Sequence, residues 1–414
     1  MPASVPTSPA TGAKSMLRGL SRSFRHRDYR LFFSGQFISL IGTWMQQTAQ
    51  SWLVYRLTGS SLNLGLVGFA GQFPVFLLAI FGGVMADRLN RRSVLVGTQA
   101  ASMVQAALLA WLTLAGHVQV WQIMVLAAFL GVVNAVDIPT RQSFIVELVG
   151  KEDLHNAIAL NSSMFNSARI LGPSIAGVLL AAVGEGWCFS LNAVSYLAVI
   201  YCLLLMGVPA KVPARTGVSL REHLREGFAY AWGTPAVRTI LLLLAVSSVI
   251  GMSYVVLMPV FAQEVLHSGP RGLGLLMAST GCGSLLGALM LAARQESRGI
   301  GRFAYFGVLC FGGSLILFAL SSNLWLSALL LVPVGFSMIV SMAAANTMLQ
   351  TLCPDELRGR VMALYSMVFM GMAPFGALLS GSSAHLIGAP ATVAAGGAAC
   401  IVVLGLFGRG LLKL

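Results

Sequence analysis

Long apolar stretches, each about the length needed to cross a lipid bilayer, follow one another along almost the whole chain. A transmembrane helix needs about 20 predominantly apolar residues, and twelve such stretches fit within the 414 residues. Hydrophobic residues make up 57% of the chain and charged residues only 9%, whereas soluble domains carry about 25% charged residues. This pattern argues against a soluble enzyme, a coiled coil or a disordered chain, and it predicts an all-α integral membrane protein.

The predicted spans form two groups of six, separated by the longest internal hydrophilic segment. They are Leu31–Tyr55, Leu64–Ala86, Val94–Ala115, Val120–Arg141, Ala157–Val183 and Cys188–Val208 in the first group, and Ile240–Phe261, Leu273–Ala293, Phe303–Leu320, Leu324–Met348, Val361–Ile387 and Ala391–Gly408 in the second. We therefore divide the chain into a basic tail (1–30), a first six-helix half (31–208), a central linker (209–237) and a second six-helix half (238–414). Within the linker, residues 219–232 predict a short amphipathic helix, which is either a plain connection on the membrane surface or a regulatory element.

Basic residues test this division, because cytoplasmic loops of membrane proteins are enriched in Lys and Arg. The chain has 26 Lys and Arg against 13 Asp and Glu. With the predicted spans, 23 of the 26 lie on one side of the membrane, Arg56 and Arg271 lie on the other, and Arg169 lies inside a span. The basic excess therefore indicates orientation in a cell (inner) membrane with both termini cytoplasmic, and not a nucleic-acid partner.

The sequence contains no motif of metal binding, nucleotide binding or enzymatic catalysis. The six cysteines are scattered and form no C-x-x-C pair, so we expect no metal site. Nucleotide-binding, zinc-protease and hydrolase motifs are also absent from the sequence. We therefore expect no cofactor, no enzymatic activity and no ATP-driven pumping by this chain.

The two groups of spans resemble each other in sequence. Leu64-Gly65-Leu66 opens the second span and Leu273-Gly274-Leu275 opens the eighth, an offset of 209 residues. Glu152-Asp153-Leu154 and Asp355-Glu356-Leu357 are matched at an offset of 203. Matched segments in two six-span halves are typical of duplicated transporter folds, in which the substrate site lies between the repeats near the midplane.

The loop after the second span combines a glycine, a carboxylate and several arginines, namely Gly83, Asp87, Arg88, Arg91 and Arg92. It resembles the signature G-x-x-x-D-R-x-G-R-R of the major facilitator superfamily, with Asn90 where the family usually has glycine. The resemblance implies that Gly83 allows close packing on a neighbouring helix, and that Asp87 at a helix end pairs with an arginine. Such contacts would latch the cytoplasmic side shut. Asparagine tolerates a left-handed turn better than most residues, so we expect the loop to survive this departure from the signature.

Asp137 is the clearest acidic residue inside a span, and Arg141 follows it four residues later. A carboxylate within the membrane needs a partner, and the expected depth of Asp137 matches that of the latch loop. We therefore predict an ion pair between Asp137 and Arg91. The alternative is that Asp137 carries a coupled proton.

Two longer stretches, 137–173 and 346–361, resemble the enterobactin-exporter-like branch of bacterial efflux transporters. Gly172-Pro173 followed by Gly177 also resembles a shortened form of the fifth-span motif of proton-driven antiporters. The resemblance implies a moving hinge at Gly172 and Pro173. A static kink at the proline is the alternative.

The resemblance implies the major facilitator fold, with twelve transmembrane helices in two pseudo-symmetric six-helix halves. It also implies a secondary active transporter that exports a small amphipathic or aromatic molecule, drug-like or siderophore-like, by proton antiport with alternating access. The expected partners are this substrate, protons and the lipid bilayer, with the chain acting as a monomer. Two alternatives stay open: a proton-coupled uptake symporter, and a non-transporting sensor or lipid-handling protein on the same fold.

Arg169 is the strongest candidate for the transport cycle. It lies about 18 Å along the fifth span, near the middle of the bilayer, where insertion scales assign an arginine a cost of about 2.5–3.5 kcal/mol. We predict that it faces the cavity as an anion-binding or proton-linked switch, with a structural clamp on carbonyls around Pro173 as the alternative. Further substrate or coupling candidates are Thr43, Gln46, Gln47, Gln50, Asn161, Asn166, Tyr254 and Asn346. For the first-span residues, cavity lining and hydrogen bonding between helices are both open.

Overall fold

A computed structural model of the chain describes residues 22–207, 220–251, 253–293 and 299–413. These residues fold almost entirely into helices, and no strand occurs among them. In chain order the α-helices are α1 Arg27–Thr58, α2 Ser61–Arg88, α3 Arg91–Leu114, α4 Val120–Val149, α5 Leu154–Ala182, α6 Glu185–Leu205, α7 Leu220–Gly233, α8 Pro235–Val246, α9 Ser253–Val260, α10 Gly269–Ala293, α11 Ile300–Leu320, α12 Leu324–Leu352, α13 Asp355–Gly371, α14 Ala373–Ile387 and α15 Ala389–Phe407, with short 3-10 helices at Arg22–Arg25 and Gly408–Lys413. The predicted all-α class is confirmed.

Eleven helical stretches in the described part of the chain are long and apolar enough to cross a membrane. Helix α1 is not among them, although it has 32 residues. It carries four glutamines, and it packs against α5 and α6 as a bundle helix does. The architecture is therefore consistent with twelve spans, and the count itself stays a prediction.

Two predicted spans are interrupted in the structure. The seventh, Ile240–Phe261, consists of α8 and α9 with π-helical turns at Ser247–Gly251 and Phe261–Val265. The eleventh, Val361–Ile387, is divided into α13 and α14. Pro374 lies at the start of α14, and because proline lacks an N–H it cannot continue the hydrogen bonds of the preceding helix.

Helices on either side of the central segment contact each other mainly at two crossings, α5 with α10 and α2 with α14. A Cβ built on Gly274 of α10 would lie 2.8 Å from the Cα of Gly177 on α5, and one built on Gly381 of α14 would lie 2.8 Å from the Cα of Gly65 on α2. No side chain fits at such distances, so the helix backbones pack directly on each other. Gly65 and Gly274 are the repeat-related glycines, and the sequence repeat therefore coincides with a symmetric pair of helix crossings.

The described part of the central segment docks on the second group of helices. Glu226 of α7 forms an ion pair with Arg360 of α13, and the Tyr230 hydroxyl donates to the Leu352 carbonyl oxygen at 3.4 Å. Residues 208–219 of the predicted linker and residues 1–21 of the predicted tail lie outside the described residues.

Candidate functional site

Arg169 lies where helices from both sides of the central segment meet. Its guanidinium is 5.7 Å from the ring centre of Trp44 on α1 and lies beside the Tyr254 hydroxyl of α9. A Cβ added to Gly281 of α10 would lie 3.1 Å from the Arg169 carbonyl oxygen. The structure thus brings together two residues, Arg169 and Tyr254, that the sequence suggested separately.

The surroundings of the charged Arg169 side chain are mainly aromatic. Among the described residues, no carboxylate forms an ion pair with it. Its side chain is half-buried, and its neighbours Trp44 and Tyr254 are aromatic. A charged arginine in this setting can bind an anion through its planar fork, while the rings offer stacking surface.

Helix α5 continues without interruption through Gly172 and Pro173. A Cβ on Gly172 would lie 2.5 Å from the Cβ of Trp44, so α5 packs directly on α1 at this point. Gly172 follows Arg169 by three residues on the same helix, so this contact lies close to Arg169. A hinge motion at Gly172 and Pro173 stays a prediction.

Gln46 lies inside the first group of helices and not between the groups. Its side chain is buried, with the residue 3% exposed. The Gln46 Nε2 donates to Gln105 Oε1 of α3 at 3.0 Å, and the Asn192 Nδ2 of α6 donates to Gln46 Oε1 at 2.7 Å. Of the two interpretations of the first-span residues, hydrogen bonding between helices holds for Gln46. Sequence reasoning missed Gln105 and Asn192, because periodicity within one helix does not indicate partners on others.

Replacing Gln46 with alanine is expected to lower the free energy of unfolding by about 2–6 kcal/mol, because two buried amides lose their partner at about 1–3 kcal/mol each. The matched control is Gln47→Ala, since Gln47 is exposed on the same helix. Unfolding of the purified protein in one detergent, followed by intrinsic fluorescence, measures both variants. Equal midpoints for the two variants would contradict the buried network.

The remaining polar candidates differ in their surroundings. The Thr43 hydroxyl donates to the Ser39 carbonyl oxygen of its own helix at 2.9 Å and lies 3.4 Å from the Tyr196 hydroxyl. The Asn166 Nδ2 donates to the Ser162 carbonyl oxygen at 2.9 Å, also within its own helix. Gln47 is exposed, and the half-buried positions are Gln50, Asn161 and Asn346. Roles for these residues stay predictions.

The predicted ion pair between Arg91 and Asp137 is wrong in this structure. The Arg91 Nη1 lies 2.5 Å from Glu147 Oε1, whereas Asp137 pairs with Arg141 at 3.3 Å. The reason is the length of α4, which extends to Val149 instead of ending at Arg141. Asp137 consequently lies about 18 Å from the end of α4, too deep for the loop, and Glu147 takes its place.

Asp137 is satisfied within the helix bundle. It is 3% exposed, and its Oδ1 accepts hydrogen bonds from Thr98 Oγ1 at 2.8 Å and Gln99 Nε2 at 2.9 Å. Both donors belong to α3, so Asp137 links α3 to α4. Neither donor was among the candidates from the sequence.

The latch motif is built differently from the expectation. A Cβ on Gly83 would meet nothing within 4 Å in the described structure, whereas one on Gly82 would collide with the Ala135 carbonyl oxygen of α4. The close-packing glycine is therefore Gly82. Asn90 has φ −64° and is not left-handed; its side chain caps α3 by accepting from the Ser93 N–H at 3.3 Å, a common use of asparagine.

The arginines of the motif have different surroundings. Arg92 donates from Nε to the Leu203 carbonyl oxygen and from Nη2 to the Leu204 carbonyl oxygen, both at 2.7 Å. These are terminal carbonyls of α6, where a cation also interacts favourably with the helix dipole. Arg88 is exposed. The side chain of Asp87 lies outside the described part of the structure.

Two hydrogen bonds join the groups of helices at the same end as the glycine crossings. The Tyr55 hydroxyl of α1 donates to Glu264, which follows α9. The Ser61 hydroxyl of α2 donates to the Gly381 carbonyl oxygen of α14 at 3.1 Å. Sequence reasoning did not select Glu264, although an acidic residue at the end of an apolar span is a signal that could have been used.

Comparison with known proteins finds a family and several relatives that match almost the whole chain. Residues 20–413 match the family described as transmembrane secretion effector. The staphyloferrin A transporter of Staphylococcus aureus is 27% identical over 382 residues, covering 91% of this chain and 95% of that protein. The multidrug efflux pump Tap of Mycolicibacterium fortuitum is 27% identical over 355 residues (82% and 85%), and the enterobactin exporter EntS of Escherichia coli is 26% identical over 400 residues (94% and 93%).

The fold is also found in solved structures. The crystal structure of a bacterial homologue of the human lysosomal transporter Spinster, inward-facing and unoccupied, superposes with a TM-score of 0.68 at 14% identity. The alignment covers 94% of this chain and 98% of that one. The similarity shows that the chain has the fold of this class of membrane transporter.

Proposed function

Because the chain belongs to the transmembrane secretion effector family of the major facilitator superfamily, whose members are transporters and not enzymes, we propose that it exports a small amphipathic or aromatic molecule by proton antiport. The observation that carries the proposal is Arg169, half-buried between the two groups of helices and flanked by Trp44 and Tyr254. A cation beside aromatic rings suits an aromatic or carboxylate-bearing anion better than a cationic drug.

The relatives support both the direction and the class of substrate. Two of them are named for siderophores, staphyloferrin A and enterobactin, and one for multidrug efflux. Siderophore-like anions match the charge of Arg169, since among the described residues it has no carboxylate partner. We therefore rank an anionic siderophore-like compound above a cationic drug.

The distribution of contacts supports alternating access between two six-helix halves, 31–208 and 238–414. The glycine crossings and the bonds Tyr55–Glu264 and Ser61–Gly381 all lie toward the end that the charge pattern assigns to the outside. At the other end, Arg88 and Arg358 are exposed. This arrangement supports a state closed outside and open toward the cytoplasm, ready to load a substrate for export.

Orientation in the membrane is part of the proposal, with both termini cytoplasmic. Cysteines placed at two exposed leucines provide a matched test, Leu57→Cys beside Arg56 and Leu89→Cys beside Arg88. A membrane-impermeant maleimide added to sealed cells is expected to label the first and not the second. Labelling of Leu89→Cys from outside would contradict this orientation and the export direction drawn from it.

Proton flux in proteoliposomes tests the function. We expect an anionic siderophore-like substrate, such as a catecholate, to move against the direction of protons when a pH gradient is imposed, and a cationic dye to move far more slowly. Movement in the same direction as protons would identify an uptake symporter. Absence of any substrate-dependent flux across carboxylate, catecholate and cationic probes would favour the non-transporting sensor or lipid-handling protein.

A further inference from the structure

A second cavity lies wholly within the helices that follow the central segment, apart from Arg169. Its walls come mainly from α8, α11 and α12, and Leu411 of the C-terminal 3-10 helix also lines it. The lining includes Met338, whose Sδ is 4.0 Å from the Tyr254 hydroxyl. Tyr254 thus separates this cavity from Arg169, and the two spaces are distinct.

The cavity extends along α12. Its empty space, counted together with the part that is open to the surroundings, is about 660 Å³. The lining of α12 extends from Met338 to Met348, which is about 15 Å along the helix axis. A space of this length can hold an extended chain of methylene groups.

The lining is apolar and adaptable, apart from the three serines Ser247, Ser248 and Ser341. Met338, Met342 and Met348 contribute flexible thioether side chains, which adjust to different aliphatic ligands. Ser248 also lines the cavity, but its hydroxyl already donates to the Phe369 carbonyl oxygen at 2.7 Å. The Ser341 hydroxyl is buried and has no hydrogen-bond partner in the described structure. A buried unsatisfied hydroxyl commonly marks a missing partner.

We propose that this cavity binds a neutral, unbranched aliphatic molecule with one hydrogen-bonding oxygen, of which a medium-chain alcohol is the simplest example. The chain fills the apolar space, and the oxygen bonds to the Ser341 hydroxyl. Ser341 lies between Met338 and Met348, so the ligand's oxygen lies within the cavity and its chain extends toward Leu411. The cavity is a site separate from the proposed export path, and the inference does not depend on the substrate or direction of export.

The test uses a decanol carrying a photoreactive diazirine on its chain, added to the full-length protein in lipid nanodiscs. After irradiation, mass spectrometry locates the labelled peptides, and peptides from lipid-facing surfaces serve as an internal standard for partitioning. We expect labelling concentrated on α8, α11 and α12, and stronger competition by unlabelled decanol than by decane. Labelling confined to lipid-facing surfaces, or labelling by a tail-modified phospholipid but not by the decanol, would overturn the proposal.

Variants separate the two features of the site. Ala345→Leu extends a side chain into the cavity and is expected to lower the relative labelling about tenfold, the loss when about two methylenes no longer fit. Ala343→Leu is the matched control, because Ala343 is half-buried on the same helix and does not line the cavity. Ser341→Ala is expected to remove the preference for decanol over decane, about fivefold for one hydrogen bond. An unchanged preference in Ser341→Ala would exclude Ser341 as the partner, even if Ala345→Leu failed to fold.

Discussion

Arg169→Gln is expected to abolish transport in a protein that still folds and inserts into the membrane. The substitution removes the charge in the space between the helix groups, and the anion then loses a charge-assisted hydrogen bond worth about 1.5–3 kcal/mol, or about 10- to 150-fold in affinity. Arg169→Lys keeps the charge but loses the planar fork, so we expect partial activity. Initial rates in proteoliposomes, normalised to the amount of inserted protein, measure both variants.

The same variants distinguish a switch from a structural clamp. Arg271→Gln is the matched control, since Arg271 is an exposed arginine near the start of α10, the helix that packs against α5. If Arg169 is a clamp, the glutamine variant loses thermal stability together with transport. If it binds substrate, the variant keeps its melting temperature and loses only substrate-dependent flux. If the Arg169→Gln variant exports substrate at the wild-type rate, Arg169 has no functional role in transport.

Hydropathy and charge predicted the class of fold because both are properties of long segments. Apolar stretches of bilayer length are recognisable without knowing how helices pack, and the repeat pointed to the glycines of both crossings. Helix ends were less predictable, since polar residues continue a helix beyond the apolar core. For this reason α4 extends past Arg141 to Val149, and Arg91 pairs with Glu147, a carboxylate that the predicted span left out.

The contacts of the remaining residues depend on how the helices pack against one another. The spacing of Thr43, Gln47 and Gln50 defines one face of α1, but a sequence does not state what that face contacts. Gln46 lies about 100° around the helix from Gln47 and is the residue bonded to Gln105 and Asn192. A rotation of the same size separates Gly83 from Gly82, the glycine that packs on α4.

The position of Arg169 beside Tyr254 could not be predicted from the sequence either. The two residues belong to different helix groups, and their distance depends on how the groups close on one another. Each was selected because polar side chains in a membrane span are costly. That argument ranks individual positions, whereas a site needs the relative placement of α1, α5, α9 and α10.

Gly274→Val is expected to reduce transport by preventing closure at the α5–α10 crossing. A Cβ at Gly274 would lie 2.7 Å from the Pro173 carbonyl oxygen and 2.8 Å from the Gly177 Cα, and backbone atoms cannot move aside as a flexible side chain can. Overpacking of this kind costs about 1–3 kcal/mol, which shifts a two-state equilibrium by about 5- to 150-fold. The conformation closed at this end is disfavoured by that factor, and the transport rate falls accordingly.

Gly313→Val is the matched control, because Gly313 lies in α11 and a Cβ there meets nothing within 4 Å. Both variants replace a glycine with valine inside a helix and share the same change in helix propensity, so any difference between them reports on the crossing. A cysteine at Ser61, introduced after the native cysteines are replaced by alanine, reports on closure at the symmetric α2–α14 crossing. If the two crossings close together, Gly274→Val accelerates labelling of that cysteine while Gly313→Val does not. Equal labelling and equal transport in both variants would mean that the repeat-related glycines are packing residues without a part in closure.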